Sequence, residues 1–72
     1  MAIEIRAAYS SDNWPAMDEI AHKAAGRVSD FGGMGLGFRD LGWVANSELE
    51  AEKIKRALDK IGLRAEIRNT NP

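Results

Sequence analysis

The residues that suggest chemistry most directly form a glycine-rich run, FGGMGLGF, at positions 31–38, which holds four of the seven glycines of the chain. Consecutive backbone N–H groups that no side chain shields can cradle a phosphate, and Arg27 or Arg39 could add positive charge. The glycine spacing departs from the dinucleotide-binding fingerprint, and the run lacks the Gly-Lys-Ser/Thr sequence of a nucleoside-triphosphate loop. Two other interpretations stay open, namely a flat surface for a partner and a long, mobile hairpin loop.

Side chains suited to catalysis or metal binding are sparse. His22 is the only histidine and cysteine is absent, so a helical pair of Asp18 and His22 would lack a visible third metal ligand. The serines occupy turn or capping positions, and no histidine partner is evident for a nucleophilic triad. We therefore predict a protein that is not an enzyme and that binds neither a metal nor an organic cofactor.

The first half of the chain predicts a strand followed by a helix. Residues 2–9 alternate between apolar and polar positions, which is typical of a half-buried strand. A helix is predicted from Trp14 to Ala25, with Pro15 in its first turn and Gly26 at its end. Its apolar face is predicted to consist of Trp14, Met17, Ile20, Ala21 and Ala24, with Asp18 and His22 mostly on the opposite side.

The second half predicts a hairpin, a helix and a last strand. The hairpin begins with a weak strand around 27–31, turns at either 32–33 or 35–37, and continues with Leu41, Trp43 and Ala45 on one face. Ser47 and Glu50 form a capping box for the second helix, which Gly62 ends. The apolar stripe of that helix is predicted to be Ala51, Ile54, Leu58 and Ile61, and the last strand is predicted to turn Leu63, Ala65 and Ile67 inward.

The order strand, helix, strand, strand, helix, strand predicts one domain spanning residues 1–72. With right-handed crossovers, the compact solution is a ferredoxin-like α+β fold, a four-stranded antiparallel sheet with both helices on one face. Tyr9, Trp14 and Trp43 are predicted core residues. The other face of the sheet is predicted to carry charged side chains of both signs.

Residues 37–63, which begin GFRDLGWV and continue into a capped helix, resemble the third strand and second helix of the RNA recognition motif. That family presents aromatic and basic side chains on the open face of its sheet. The resemblance implies RNA or single-stranded DNA binding, for which Arg6, Arg64 and Arg68 would be the contacts. Asp40 and Gly42 are predicted to face outward where that family places its aromatic residues.

Composition limits the function classes. The net charge of −1 argues against strong nonspecific binding to nucleic acid or to acidic membranes. No apolar stretch approaches the roughly 20 residues that cross a bilayer, and the N-terminal residues do not resemble a signal peptide. The expected location is the cytoplasm, and no membrane partner is expected.

These observations favour a small protein-interaction or regulatory module that forms a homodimer or binds another protein. The second strand would be a sheet edge that is rich in glycine and poor in charge, and such an edge tends to pair with another chain. A chain of 72 residues also buries a small core, which self-association would enlarge. The predicted partner-binding residues are Phe31, Gly33, Gly35, Gly37, Phe38 and Arg39.

Overall fold

The computed structural model of the protein describes residues 3–69, which contain four strands and two helices in the predicted order. The elements are β1 (Ile3–Ser10), α1 (Trp14–Ala25), β2 (Phe31–Gly35), β3 (Phe38–Ala45), α2 (Glu48–Lys60) and β4 (Ala65–Asn69), with a short 3-10 helix at Ser11–Asn13. The strands form one antiparallel sheet in the order β2-β3-β1-β4. The predicted ferredoxin-like α+β fold is therefore confirmed.

One face of the sheet and the inner sides of both helices form the core. Ile5, Leu41 and Trp43 alternate with outward-facing residues along β1 and β3 and are almost completely buried. Ala21 of α1 and Leu58 of α2 belong to the same buried cluster. Because each large apolar side chain contributes roughly 1.5–3 kcal/mol when fully buried, these alternating residues account for much of the stability of so short a chain.

The helix ends follow the predicted capping rules. Gly26 adopts a φ of 84° after α1, and its N–H donates to the carbonyl of His22 at 3.0 Å. Ser47 precedes α2, and its hydroxyl accepts the N–H of Glu50 at 3.2 Å. These caps fix where each helix begins or ends and therefore how it crosses the sheet.

Several predicted core positions of the helices are wrong. Trp14, Ile20 and Ile61 are exposed: Trp14 is the first residue of α1, Ile20 lies about 100° around that helix from the buried Ala21, and Ile61 follows the last residue of α2. Asp18, predicted to face away from the core, is only 8% exposed. The last strand begins at Ala65, and Leu63 is buried in the segment before it.

The hairpin also differs from its prediction. The segment 27–30 is not a strand, and the glycine-rich run itself forms β2. The turn lies at Leu36 and Gly37, whose φ angles are 53° and 83°. Positive φ at both central residues defines the two-residue turn that matches the twist of a hairpin, and glycine adopts such angles without steric cost. Of the two predicted turn positions, the one at 35–37 is therefore confirmed.

Within residues 3–69, neither helix is long and apolar enough to cross a membrane.

Candidate functional site

β2 is an edge strand whose own side chains are solvent-accessible. It pairs with β3 on one side, and none of its five residues is buried. The large apolar residues of the hairpin are exposed to different degrees: Phe31 36%, Met34 51%, Leu36 100% and Phe38 61%. These side chains lie on both faces of the hairpin and at its tip, so together they surround the outer edge of β2 with exposed apolar surface.

The register of the hairpin determines which backbone groups of β2 are available. Gly35 faces Phe38 across the two-residue turn, and Gly33 faces Asp40. Residues that flank such a turn exchange hydrogen bonds with each other, and in an antiparallel ladder every second pair does so. The N–H and C=O groups of the intervening Gly32 and Met34 therefore point away from β3, toward the outer edge.

The outer edge of β2 lacks two of the features by which edge strands commonly avoid pairing, namely charged side chains and proline. Residues 31–35 include no charged side chain and no proline. A Cβ atom placed on Gly35 would meet no other atom within 4 Å, and one on Gly33 would approach only the Asp40 carboxylate, at 3.1 Å. The open face of the sheet therefore has free space above Gly35, whereas a side chain at Gly33 would meet Asp40.

A hydrogen-bonded clamp holds the start of β2 on the sheet. The N–H of Asp30 donates to the carbonyl of Gly42 at 2.8 Å, while its carboxylate accepts the N–H of Val44 at 2.6 Å. Arg27 donates to the Asp30 carboxylate at 3.0 Å and to the Val44 carbonyl at 2.6 Å. The Val44 hydrogen bond, followed by that of Arg27, lowers the pKa of Asp30.

On the open face of the sheet, Phe31 packs against a glycine and an arginine. Gly42 lies directly opposite Phe31 in the ladder, and a Cβ atom at Gly42 would overlap the Phe31 ring at 2.2 Å. The guanidinium of Arg6 lies over the same ring, 5.1 Å from its centroid. Glycine at position 42 therefore allows the ring to lie flat on the sheet beneath Arg6.

The remaining charges of this face largely pair with one another. Arg6 lies 3.3 Å from Glu4, and Arg68 lies 3.5 Å from Glu66. Within residues 3–69, Arg64 has no ion pair with an acidic side chain. The face carries charged side chains of both signs, as predicted, and each exposed ion pair contributes at most about 1 kcal/mol.

Arg39 lies on the helix side of the sheet, where it joins a partly buried polar cluster. Its guanidinium donates to both carboxylate oxygens of Asp18, at 2.7 and 3.1 Å, and lies 5.3 Å from the centroid of the Trp14 ring. The hydroxyl of Tyr9 donates to the same carboxylate. A longer contact of 3.4 Å joins Arg39 to the carbonyl of Gly33 in β2.

The pKa shifts of this cluster agree with its geometry. Burial alone would raise the pKa of Asp18, but the hydrogen bonds from Arg39 and Tyr9 outweigh burial and leave that pKa below its usual value. The Asp18 hydrogen bond raises the pKa of Arg39. Burial, followed by the hydrogen bond to Asp18, raises the pKa of Tyr9. The cluster is therefore a stable ion pair at neutral pH that connects α1 to β3.

The structure distributes the six predicted partner-binding residues over two faces and a turn. Register places Phe31, Gly33, Gly35 and Phe38 on the open-face side of the hairpin, and Gly37 lies in the turn. Arg39 is engaged with Asp18 on the opposite side. The three predicted nucleic-acid contacts, Arg6, Arg64 and Arg68, line one shallow groove of the open face together with Asp40 and Glu66.

The remaining candidate side chains have structural surroundings. His22 is half-buried, with its Nε2 atom 3.2 Å from the Ser29 hydroxyl and its ring against the edge of Trp43. Within residues 3–69, no three His, Asp or Glu side chains are grouped so that they could hold a metal ion.

Sequence reasoning missed the cluster of Tyr9, Asp18 and Arg39. Asp18 lies one turn after Trp14, so a broad helical face that includes Trp14 also includes Asp18. A carboxylate next to an apolar stripe indicates a buried ion pair only when its cationic partner is known. That partner is 21 residues away in sequence, and the pattern of the helix alone does not identify it.

The chain matches no known protein family, curated protein or solved structure.

Asp18→Asn is expected to lower the free energy of unfolding by about 3 kcal/mol at neutral pH, because it leaves a partly buried guanidinium without its carboxylate. The folded-state pKa of Asp18 is depressed, so its contribution is present above the unfolded-state pKa of about 3.9 and is lost as pH falls through the folded-state value. Urea unfolding at pH 7 and pH 3 should show the difference between wild type and variant shrinking in acid.

Glu19→Gln, on the neighbouring exposed position of α1, is the matched control and should change stability by less than about 0.5 kcal/mol. An Asp18→Asn variant as stable as this control at neutral pH would contradict the assigned role of the ion pair.

Proposed function

We propose that this chain is a small, non-enzymatic interaction and regulatory module that pairs with a second copy of itself through the outer edge of β2. The observation that carries the proposal is the unprotected edge formed by Phe31–Gly35. Outward-pointing backbone groups at Gly32 and Met34 offer hydrogen bonds to an added strand, which is how sheet edges recognise extended partners.

The exposed apolar side chains around β2 supply the hydrophobic part of the interaction. Met34 lies on the helix side of the hairpin, Phe31 and Phe38 on the open side, and Leu36 at the tip. A strand added at this edge would cover part of each. Removing apolar surface from water contributes roughly 25 cal/mol per Å², so partial burial of several large side chains supplements the backbone hydrogen bonds.

The size of the domain supports a second copy as the partner. A chain of 72 residues buries about 60% of its unfolded surface, and its lack of cysteine excludes a disulfide within the fold. Pairing across a twofold axis would extend the sheet and bury apolar surface that each chain exposes alone. Cytoplasmic action is part of the proposal, in keeping with the absence of cysteine.

The charged groups support binding rather than catalysis. Arg39 and Asp18 neutralise each other, and so do Arg27 and Asp30. A general base or nucleophile needs an unsatisfied reactive group in a cleft, whereas these side chains are already hydrogen-bonded to protein partners. A protein surface remains the most suitable ligand for this hairpin.

Gly35→Lys is expected to abolish the dimer, because it introduces a charged side chain where the edge now has open space. Multi-angle light scattering should give a dimer mass for wild type and a monomer mass for the variant at the same concentration. Leu49→Lys, an equal change of charge at an exposed position of α2, is the matched control and should remain dimeric. A wild-type protein that is monomeric at millimolar concentration would refute self-pairing.

A second candidate function is the binding of RNA or single-stranded DNA on the open face. The specific observation in its favour is that Phe31 and Arg6 lie side by side on the open face, because aromatic rings and guanidinium groups are the side chains against which nucleobases stack. Glu4, Asp40 and Glu66 lie on the same face and would repel a phosphate backbone. The interaction module is therefore the preferred proposal.

If the open face binds nucleic acid, a fluorescent oligonucleotide should be retained at low salt and released at higher salt, because phosphate contacts displace counterions. Arg68→Glu should then abolish retention, whereas Lys53→Glu on the exposed side of α2 should reduce it little. If the chain is an interaction module instead, wild-type protein should leave the fluorescence anisotropy of the oligonucleotide unchanged even at low salt. Salt-sensitive binding that is lost in Arg68→Glu and kept in Lys53→Glu would favour nucleic-acid binding.

A further inference from the structure

We infer that the two β2 strands of the dimer pair antiparallel with Gly33 opposite the partner's Gly33. This inference rests on the proposed self-association and adds its register. Gly33 is the central residue of Phe31–Gly35, and this alignment is the one that pairs all five residues of both strands. The twofold axis then passes between the two Gly33 residues, perpendicular to the joined sheet.

The backbone groups at the edge fit this register. Gly32 and Met34 point their N–H and C=O groups outward, as the hairpin ladder requires. With Gly33 at the centre, Gly32 lies opposite the partner's Met34, and Met34 lies opposite the partner's Gly32. Each of these two pairs exchanges both hydrogen bonds, which gives about four across the interface. A shift of one strand by one residue places each outward-pointing residue opposite one whose backbone groups point inward, and a shift by two residues places an outward-pointing residue opposite a residue outside β2.

The side chains on the open face fit the same register. Within the chain, Phe31 lies opposite Gly42 and Phe38 lies opposite Gly35, so each ring has a glycine as its cross-strand neighbour. The inferred pairing places Phe31 opposite the partner's Gly35. Across the joined sheet the order becomes Gly42, Phe31, then the partner's Gly35 and the partner's Phe38. Phe31 therefore lies between two glycines, Phe38 lies between Gly35 and Ser10, and no two rings are direct cross-strand neighbours.

On the helix side of the joined sheet, a large side chain likewise lies opposite a glycine. Met34 is half exposed and faces the partner's Gly32, which has no side chain. Two copies of Met34 therefore pack on either side of the axis rather than against each other. Because the axis is perpendicular to the sheet, both pairs of helices cover the same face, and the four-stranded sheet of one copy continues into that of the other.

The absence of cysteine allows a direct test by site-specific cross-linking. In this register the two Gly33 Cα atoms form a non-hydrogen-bonded pair about 4.5 Å apart, within the range that a disulfide spans. The two Gly35 residues lie four positions apart along the strands, at about 13 Å, which is too far. Gly33→Cys should therefore form a covalent dimer in a glutathione redox buffer, and Gly35→Cys should remain uncross-linked.

A second pair of variants protects the test against misfolding of Gly33→Cys, since its Cβ would lie near the Asp40 carboxylate. The register places Phe31 opposite the partner's Gly35, so a mixture of Phe31→Cys and Gly35→Cys chains should form a mixed disulfide dimer. Neither chain should cross-link alone. Circular dichroism identifies folded variants, and cross-linking should be lost in denaturing urea.

The outcomes separate the register from the self-association on which it rests. A wild-type dimer in sedimentation velocity that cross-links through Gly33→Cys, or through the mixed pair, supports the inference. A wild-type dimer that cross-links instead through Gly35→Cys alone overturns the register and leaves edge pairing intact. A monomeric wild type whose variants do not cross-link overturns both.

Discussion

The position of β2 depends on backbone pairing with β3, because β2 itself buries no side chain. The two ends of this pairing are fixed by different means. The clamp between Asp30, Arg27 and the β3 residue Val44 holds the start of the hairpin. The turn at Leu36 and Gly37 closes its far end. A strand held this way can have glycine at most of its positions, and its outer edge is consequently bare.

The two faces of the sheet then acquire different roles. On the helix side, Arg39 and Asp18 satisfy each other and join the sheet to α1. On the open side, the rings near β2 lie against glycines, while the charges farther across the sheet pair with one another. Among the described residues, most charges on both faces therefore have a partner of opposite sign. The outer edge of β2 and the apolar side chains beside it are the features that gain most from a partner, which is why the proposed function centres on them.

The sequence predicts the fold well where the alternation of apolar and polar residues indicates which side chains are buried. Period-two alternation along β1 and β3 identified the buried Ile5 and Trp43, and Ser47 marked the start of α2. The glycine-rich run was ambiguous because glycine carries no apolar or polar signal, so the register of β2 had to come from its pairing with β3. The burial of Asp18 was not predictable from α1 alone, since it depends on Arg39, which reaches it from another element. The position of the Phe31 ring on the open face was likewise not predictable, because it depends on Gly42 lying opposite in the ladder.

Amide hydrogen exchange at Gly32 and Met34, measured as a function of protein concentration, reports whether a second strand occupies the outer edge of β2. These two amides point away from β3 in the single chain and become hydrogen-bonded only when another strand pairs with that edge. If two copies pair there, both amides should exchange slowly at high concentration and fast on dilution, while buried amides such as that of Trp43 remain protected at all concentrations. Equally fast exchange of Gly32 and Met34 at every concentration would show that the edge stays unpaired.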